Sequence, residues 1–170
     1  RAGYDPYWAG VTGAPTPPWY AVSLAGWRIL SLDSETDHSP GSAQMRWLRR
    51  QLRAPGTCRL AFWHRPRFSA GLHGDQPDLA PVWNALRGHA VLVLNGHEHQ
   101  MQRMRVRAGI TELVAGAGGR GHYPLDASDP RLAWSDASHD GALRVILEPG
   151  RARFAFVATG GRVLERGAVR

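Results

Sequence analysis

The sequence is poor in cysteine, contains no lysine and lacks any long apolar run. Cys58, the single cysteine among 170 residues, excludes an internal disulfide and a zinc site built from several cysteines. No stretch approaches the roughly 18 to 20 consecutive apolar residues that a membrane-spanning helix needs, which excludes such a span. The sequence starts at Arg1 without a methionine or a signal-like stretch, so we expect it to be a processed or excised piece of a longer protein.

All of the positive charge is carried by arginine. The 21 basic and 14 acidic residues give a formal net charge of +7, which favours anionic partners. The arginines form no run of five or more, so nucleic-acid binding is retained only as a minor alternative. Hydrophobic residues make up 43% of the chain and charged residues 21%, values typical of a globular protein, and the length is that of one domain.

Three apolar segments between residues 27 and 94 alternate with two segments of helical pattern. The apolar segments span 27–32, 58–63 and 90–94, and the last of them lacks the alternation of a strand with one solvent-facing side. It is typical of a strand that is covered on both faces. Two consecutive strand–helix–strand units imply a parallel βαβαβ core, so the predicted fold class is α/β.

Polar residues mark the start of both predicted helices. Either Ser39 or Ser42 is suited to cap the first helix, and Asp78 is suited to cap the second, because short polar side chains accept hydrogen bonds from free N–H groups there. Gly88 is predicted to end the second helix. The residues predicted to face the core from these helices are Met45, Leu48, Leu52, Leu79, Val82, Trp83 and Leu86.

Outside residues 27–94 the pattern is antiparallel. Residues 19–24 are predicted to form a hairpin with 27–32, and a second antiparallel pair is predicted around Ala108-Gly109. The interval 116–139 is predicted to be a long loop. The last three short strands, at 143–147, 153–157 and 163–164, are predicted to form a meander.

Two of the predicted parallel strands end in loops that carry histidines. His64 follows the strand at 58–63, and His97 and His99 follow the strand at 90–94. Because the carboxyl ends of parallel strands meet at one edge of a sheet, we expect these three imidazoles to converge. A single histidine at a strand end is more often a surface residue, but two such loops together favour a metal site. Imidazole is a ligand of zinc, iron, manganese and nickel, and three such ligands with an open position suit hydrolysis.

Two other motif interpretations fail. Residues 116–121 fit the pattern Gly-x-Gly-x-x-Gly, but no helix pattern follows them, so we interpret them as a loop bordering the site and not as a dinucleotide-binding turn. The histidines at 97 and 99 do not form His-Glu-x-x-His, because position 101 is methionine. This excludes the metalloprotease motif.

The segments around these histidines resemble the calcineurin-like metallophosphoesterases, in particular the purple-acid-phosphatase-like branch. Residues 42–48 resemble the helix before the fourth family motif, residues 63–66 (Trp-His-Arg-Pro) resemble that motif, and residues 96–99 (Gly-His-Glu-His) are similar to the fifth, Gly-His-x-His. Residues 116–120 and 153–156 also fit, so the resemblance covers nearly the whole chain. It implies a partial α/β/β/α sandwich in which residues 1–170 are the C-terminal portion of one domain.

The resemblance also implies roles for individual residues. It implies that His64 and His97 are ligands of one metal ion and that His99 is a ligand of a second. His73 matches a family histidine that contacts the phosphate and donates a proton to the leaving oxygen, although a solvated loop position is the alternative for it. The implied cofactors are two divalent or trivalent ions of iron, zinc or manganese.

The first three family motifs, Asp-x-His, Gly-Asp and Gly-Asn-His, do not occur before His64. We therefore interpret the sequence as lacking the N-terminal half of the domain, which would be its partner. Two metal ions roughly 3.5 to 4 Å apart repel each other and need carboxylates to neutralise them. For this reason we expect the chain alone to bind one metal at best and to hydrolyse little.

The predicted function is metal-dependent hydrolysis of phosphate monoesters or diesters. The main alternative is a truncated or decayed, non-enzymatic metal-binding remnant. Members of the branch that the sequence resembles are often exported, so the resemblance implies an exported or periplasmic location.

Overall fold

The computed structural model describes residues 18–53 and 58–170. In this part of the chain, a seven-stranded mixed sheet carries two α-helices on one face and a three-stranded antiparallel sheet on the other. Residues 1–17, which the sequence interpretation assigns to the same domain, lie outside the described residues. None of the helices in the described ranges has the length and apolar character needed to cross a membrane.

The large sheet contains strands β1 to β7 in the spatial order β1-β2-β3-β4-β6-β5-β7, and the small sheet has the order β10-β9-β8. The helices are α1 (Ala43–Leu52) and α2 (Ala80–Leu86). The strands are β1 (Tyr20–Leu24), β2 (Trp27–Ser31), β3 (Cys58–Phe62), β4 (Leu92–Asn95), β5 (Met101–Met104), β6 (Thr111–Ala115), β7 (Leu132–Asp136), β8 (Gly141–Glu148), β9 (Arg151–Ala158) and β10 (Val163–Val169).

The predicted parallel core is confirmed. Strands β2, β3, β4 and β6 lie side by side and run parallel, with α1 connecting β2 to β3 and α2 connecting β3 to β4. The hairpin of β1 and β2 turns at Ala25 and Gly26, which both have positive φ. The pair β5–β6 and the meander β8–β9–β10 are antiparallel, as predicted. The fold class is therefore α/β.

Alternate residues of the central strands enter two separate cores. Leu30, Ala61 and Val93 pack with the apolar stripes of the helices, and all the residues predicted to face the core from α1 and α2 are buried. The residues that alternate with these along each strand point to the other face of the large sheet, where they pack against the small sheet. Trp27, fully buried there, also donates a hydrogen bond from Nε1 to the Glu148 carbonyl oxygen at 2.7 Å, which ties the two sheets together.

The start of α1 settles which serine is the cap. The Ser42 hydroxyl accepts a hydrogen bond from the Met45 N–H at 3.1 Å, whereas Ser39 contributes its carbonyl oxygen to the Ser42 N–H. We expect Ser42→Ala to lower the free energy of unfolding by about 1 kcal/mol, because one N–H at the helix start loses its acceptor. The matched variant Ser39→Ala should stay within about 0.5 kcal/mol of the wild type. Urea unfolding measures both, and equal losses would contradict this assignment.

The predicted cap of α2 is wrong. Asp78 lies in a short 3-10 turn, Pro77–Leu79, and the residue before α2 is Leu79, which makes no side-chain cap hydrogen bond. The Asp78 carboxylate instead accepts a hydrogen bond from Arg65 Nη2 at 2.9 Å. The ion pair with Arg65 therefore outcompetes the helix start for this side chain.

The predicted loop at 116–139 is partly wrong as well, because it contains β7. This strand pairs antiparallel with β5 at an edge of the large sheet. Leu132 packs with Met104 and Ala70, and the Trp134 ring stacks on Phe156 at 5.0 Å between ring centroids. These contacts are tertiary, so the five-residue sequence of the strand carries little local signal for them.

Candidate metal centre

His64 and His97 lie beside each other because the backbone pairing of β3 and β4 continues past the ends of both strands. The Trp63 N–H donates to the Leu94 carbonyl oxygen at 3.2 Å, and the Gly96 N–H donates to the His64 carbonyl oxygen at 3.1 Å. His97 itself has φ of 67°, in the left-handed region that residues with a Cβ rarely adopt. Such backbone strain is concentrated at functional sites.

The two imidazoles face each other through nitrogen atoms. His64 Nε2 and His97 Nδ1 are 3.2 Å apart, and the ring planes are inclined at 82°. Two nitrogens that each lie about 2.0 to 2.1 Å from one ion are separated by roughly 3 Å, whether the ion is tetrahedral or octahedral. The pair therefore fits two adjacent ligands of a single metal ion.

Five aromatic rings form a continuous arc at this edge of the sheet. His97 contacts both His64 and His73, with ring centroids 5.0 Å and 4.4 Å apart respectively. Tyr123 continues the arc from His73, at 5.2 Å, and stacks on His99 at 3.9 Å. The structure thus brings His64, His97 and His73 together directly and joins His99 to them through a tyrosine.

His99 is oriented by its second nitrogen. Its Nδ1 lies 3.1 Å from the Gly121 carbonyl oxygen, which can only accept, so this contact favours the neutral tautomer that has its proton on Nδ1 and its lone pair on Nε2. Histidines that bind metals are commonly held in this way by a carbonyl. The loop at 116–121 borders the site through this contact, as predicted, and no helix opens after it.

The described residues do not complete a metal site on their own. Among residues 18–53 and 58–170, no three side chains of histidine, cysteine, aspartate or glutamate are gathered closely enough to hold one ion. The chemistry of the donor set still fits a metal, because it combines paired imidazole nitrogens with a third imidazole oriented by a carbonyl. Further ligands would have to come from outside this set.

Burial favours the form of His97 that can bind a metal. The pKa of His97 is lowered from its ordinary value, first by burial and then by the nearby His73 and His64, whose positive forms would repel a second imidazolium. A lowered pKa keeps the ring neutral at neutral pH. A neutral ring has the free lone pair that metal coordination requires.

Two residues of this edge, Glu98 and Tyr123, are not among the site residues predicted from the sequence. Glu98 is fully buried, and its carboxylate faces His73. The position of Glu98 between two candidate ligands, His97 and His99, could have indicated from the sequence that it belongs to the site. Tyr123 lies in the segment predicted to be a loop, and nothing in its local sequence indicates that it stacks on His99.

The arginines near the site are engaged in contacts within the chain. Arg65 donates to the carboxylates of Glu35 and Asp78, both at 2.9 Å. The Arg67 guanidinium lies over the Phe68 ring at 4.4 Å. Arg65 therefore stabilises the loop after β3, because it joins this loop to the segments that carry Glu35 and Asp78.

An apolar groove lies next to the cavity that His64 lines. It has a volume of about 520 Å³. A second cavity of about 790 Å³ reaches His64 and Gly96, and it shares Phe62 and Leu94 with the groove, so the two are adjacent. The groove is lined by Leu24, Ala25, Ile29, Leu60, Phe62, Leu94, Val145 and Leu147.

No protein-family model matches this sequence, and no curated protein matches it. Solved structures do. Over 88% of the chain, the structure superposes with a TM-score of 0.79 on the purple acid phosphatase PPD1 from yellow lupin (Lupinus luteus) seeds, at 13% sequence identity. The chain has the calcineurin-like metallophosphoesterase fold.

Two further structures agree on this metallophosphoesterase fold. GAP50, described as the anchor in the inner membrane complex of Plasmodium, matches 92% of the chain with a TM-score of 0.71 and 16% identity. A dimetal phosphatase from Danio rerio matches 89% with a TM-score of 0.57 and 14% identity. The chain covers 32% of the lupin protein, 56% of GAP50 and 60% of the Danio rerio protein, so it spans about a third to three fifths of their lengths.

Proposed function

We propose that this chain contributes to the metal-dependent hydrolysis of phosphate esters, as part of a dinuclear site of the purple-acid-phosphatase type. In this proposal His64 and His97 bind one ion, His99 binds the second, and His73 donates a proton to the leaving oxygen. The observation that carries the proposal is the 3.2 Å approach of His64 Nε2 and His97 Nδ1 in a fold that phosphatases share.

In this proposal the histidines of the chain have different roles. When bound, ions of iron, zinc or manganese supply Lewis-acid polarisation of the phosphoryl group. The neutral ring of His97 and the ring of His64 present their nitrogens to one ion. His73, whose ring lies 4.4 Å from that of His97, is close enough to the same edge to reach an ester oxygen held there.

We further propose that the groove receives the remainder of a metallophosphoesterase domain. The groove is apolar and adjacent to the cavity at His64, so a segment that covers both would lie beside His64. The longer chains of the similar structures support this proposal. The same segment could supply the carboxylates that two metal ions need for charge neutralisation.

A non-enzymatic metal-binding role is the second candidate. It requires only the paired nitrogens of His64 and His97, which the chain itself brings to 3.2 Å. It is also compatible with GAP50, a protein of similar fold that is described as an anchor. The two candidates differ in phosphate binding: a metal-loaded phosphoesterase site binds inorganic phosphate, and a remnant does not.

Calorimetric titration of the metal-free chain with zinc tests the proposal. We expect binding of one ion, and we expect His97→Ala to weaken it more than about tenfold, because even the loss of an outer partner of a ligand costs 10- to 100-fold. His89→Ala is the matched control, since His89 is exposed and precedes β4 at the opposite edge of the sheet.

Three results would contradict the assignment: no zinc binding, equal weakening by both variants, or no effect of His97→Ala. A second titration, of inorganic phosphate into the zinc-loaded chain, separates the two candidates. Phosphate binding that His73→Ala weakens supports the esterase site, and phosphate binding that His73→Ala leaves unchanged contradicts the role proposed for His73.

A further inference from the structure

Glu98 is a completely buried carboxylate at the edge that carries the histidines. Its side chain is 0% exposed, and both of its oxygens face the same residue. Oε1 accepts a hydrogen bond from the His73 backbone N–H at 3.0 Å, and Oε2 lies 3.4 Å from His73 Nδ1. A buried carboxylate is costly unless it is well partnered, so this bidentate contact indicates a specific purpose.

The segment before His73 is built to come close to Glu98. A Cβ added to Gly71 would lie 2.5 Å from Glu98 Oε2 and 2.6 Å from Cδ, so only glycine allows this approach. Two buried glutamines hold this segment and the loop beside it, to which Gly71 is joined by a bridge with Leu125. Gln102 Oε1 accepts from the Ala70 N–H at 2.9 Å, and Gln100 Nε2 donates to the Pro124 carbonyl oxygen at 2.8 Å.

We propose that Glu98 is a positioning residue that fixes the orientation and the tautomer of His73. In this proposal the Glu98 carboxylate accepts at both oxygens, so the His73 backbone N–H at Oε1 and the His73 ring nitrogen Nδ1 at Oε2 are both donors. The His73 ring therefore carries its proton on Nδ1, and Nε2, on the far side of the ring from Glu98, keeps a free lone pair. The contact of this ring with His97 places it at the candidate metal edge.

The role of the Glu98–His73 contact in catalysis rests on the proposed phosphoesterase activity. The contact itself, and the tautomer that it sets, do not depend on that activity. A histidine that donates a proton to an ester does so as the imidazolium: Nδ1–H stays bonded to Glu98, the second proton on Nε2 passes to the leaving oxygen, and the ring returns to the neutral form protonated on Nδ1. Glu98 would thus direct Nε2 toward the substrate. It touches neither the ester nor the metal in this scheme, and it acts through His73.

Nuclear magnetic resonance of the metal-free full chain, labelled with ¹⁵N in histidine, tests the proposal. Long-range proton–nitrogen spectra distinguish the two tautomers of a neutral imidazole, because the protonated and the bare nitrogen resonate far apart. We expect the neutral His73 ring of the wild type to carry its proton on Nδ1. The His73→Asn variant assigns the signals by deleting them.

Glu98→Gln should reverse this tautomer. The His73 backbone N–H requires the amide oxygen at the Oε1 position, so the amide NH₂ takes the place of Oε2 and donates to Nδ1. The ring proton must then move to Nε2. Glu112→Gln is the matched control, because Glu112 is another buried carboxylate that accepts two backbone N–H bonds, and we expect it to leave the His73 tautomer unchanged.

If the neutral His73 ring of the wild type carried its proton on Nε2, that result alone would overturn the proposal. It would also be overturned if Glu98→Gln left the proton on Nδ1, or if Glu112→Gln moved it as well. These spectra are independent of metal and phosphate binding. The spectra therefore test the positioning role of Glu98, and the calorimetric titrations test the proposed function, so the failure of one can be distinguished from the failure of the other.

Discussion

Replacing Gly116 by alanine is expected to lower the free energy of unfolding by about 3 kcal/mol and to disturb the loop that carries His97 and His99. A Cβ at Gly116 would lie 2.0 Å from the Glu98 carbonyl oxygen and 2.7 Å from its carbonyl carbon. Both are backbone atoms, so no side-chain rotation relieves the overlap. The Gly116 N–H also donates to the Gln100 carbonyl oxygen at 3.1 Å, which prevents the strand from moving away freely.

Gly118→Ala is the matched control for this variant. A Cβ at Gly118 would meet nothing within 4 Å, and neither glycine has positive φ. We therefore expect Gly118→Ala to stay within about 0.5 kcal/mol of the wild type in urea unfolding. Similar stabilities for the two variants would show that the loop after β6 does not approach the histidine loop as closely as described.

Raising the pH is expected to destabilise the fold through Glu112, which lies on β6. Complete burial raises the pKa of Glu112 from its ordinary value of 4.5 to about 8, against the hydrogen bonds from the backbone N–H groups of Arg67 and Phe68. A carboxyl with a raised pKa stabilises the folded state fully below its unfolded pKa and loses this contribution as the pH rises through its folded pKa. At about 1.4 kcal/mol per pKa unit, the loss between pH 4.5 and 8 is roughly 5 kcal/mol.

Glu112→Gln removes the group that titrates while keeping its size. The free energy of unfolding of this variant should therefore change much less than that of the wild type between about pH 5 and pH 9. Urea unfolding at several pH values measures both slopes. If the wild type gains stability across this range, or if the variant keeps the wild-type slope, Glu112 is not the group responsible.

The parallel core could be predicted from the sequence because its signals are local. The apolar runs at 58–63 and 90–94 contain β3 and most of β4, and the stripe of Met45, Leu48 and Leu52 faces the core from α1. Strands covered on both faces need continuous apolar residues, and a helix on a sheet needs a one-sided stripe. The direction of each strand then follows from the length of the connection between them.

The convergence of His64 and His97 was also predictable, because strand order and strand direction fix it. What the sequence did not reveal depends on contacts between distant segments. β7 is held by packing of Leu132 and Trp134 onto residues far away in the chain, and the Asp78 side chain is drawn away from its helix by Arg65. The placement of His99 against a tyrosine likewise depends on how the loop after β6 folds back.

The apolar groove offers a place to engineer the chain without altering its histidines. Leu24 lines the groove and is 59% exposed, so its side chain contributes little to the core of the fold. A hydrophilic replacement there would improve solubility at little cost in folding energy. The same replacement would weaken any segment that docks on the groove, so a version optimised for expression on its own would be a poor starting point for reconstituting a larger assembly.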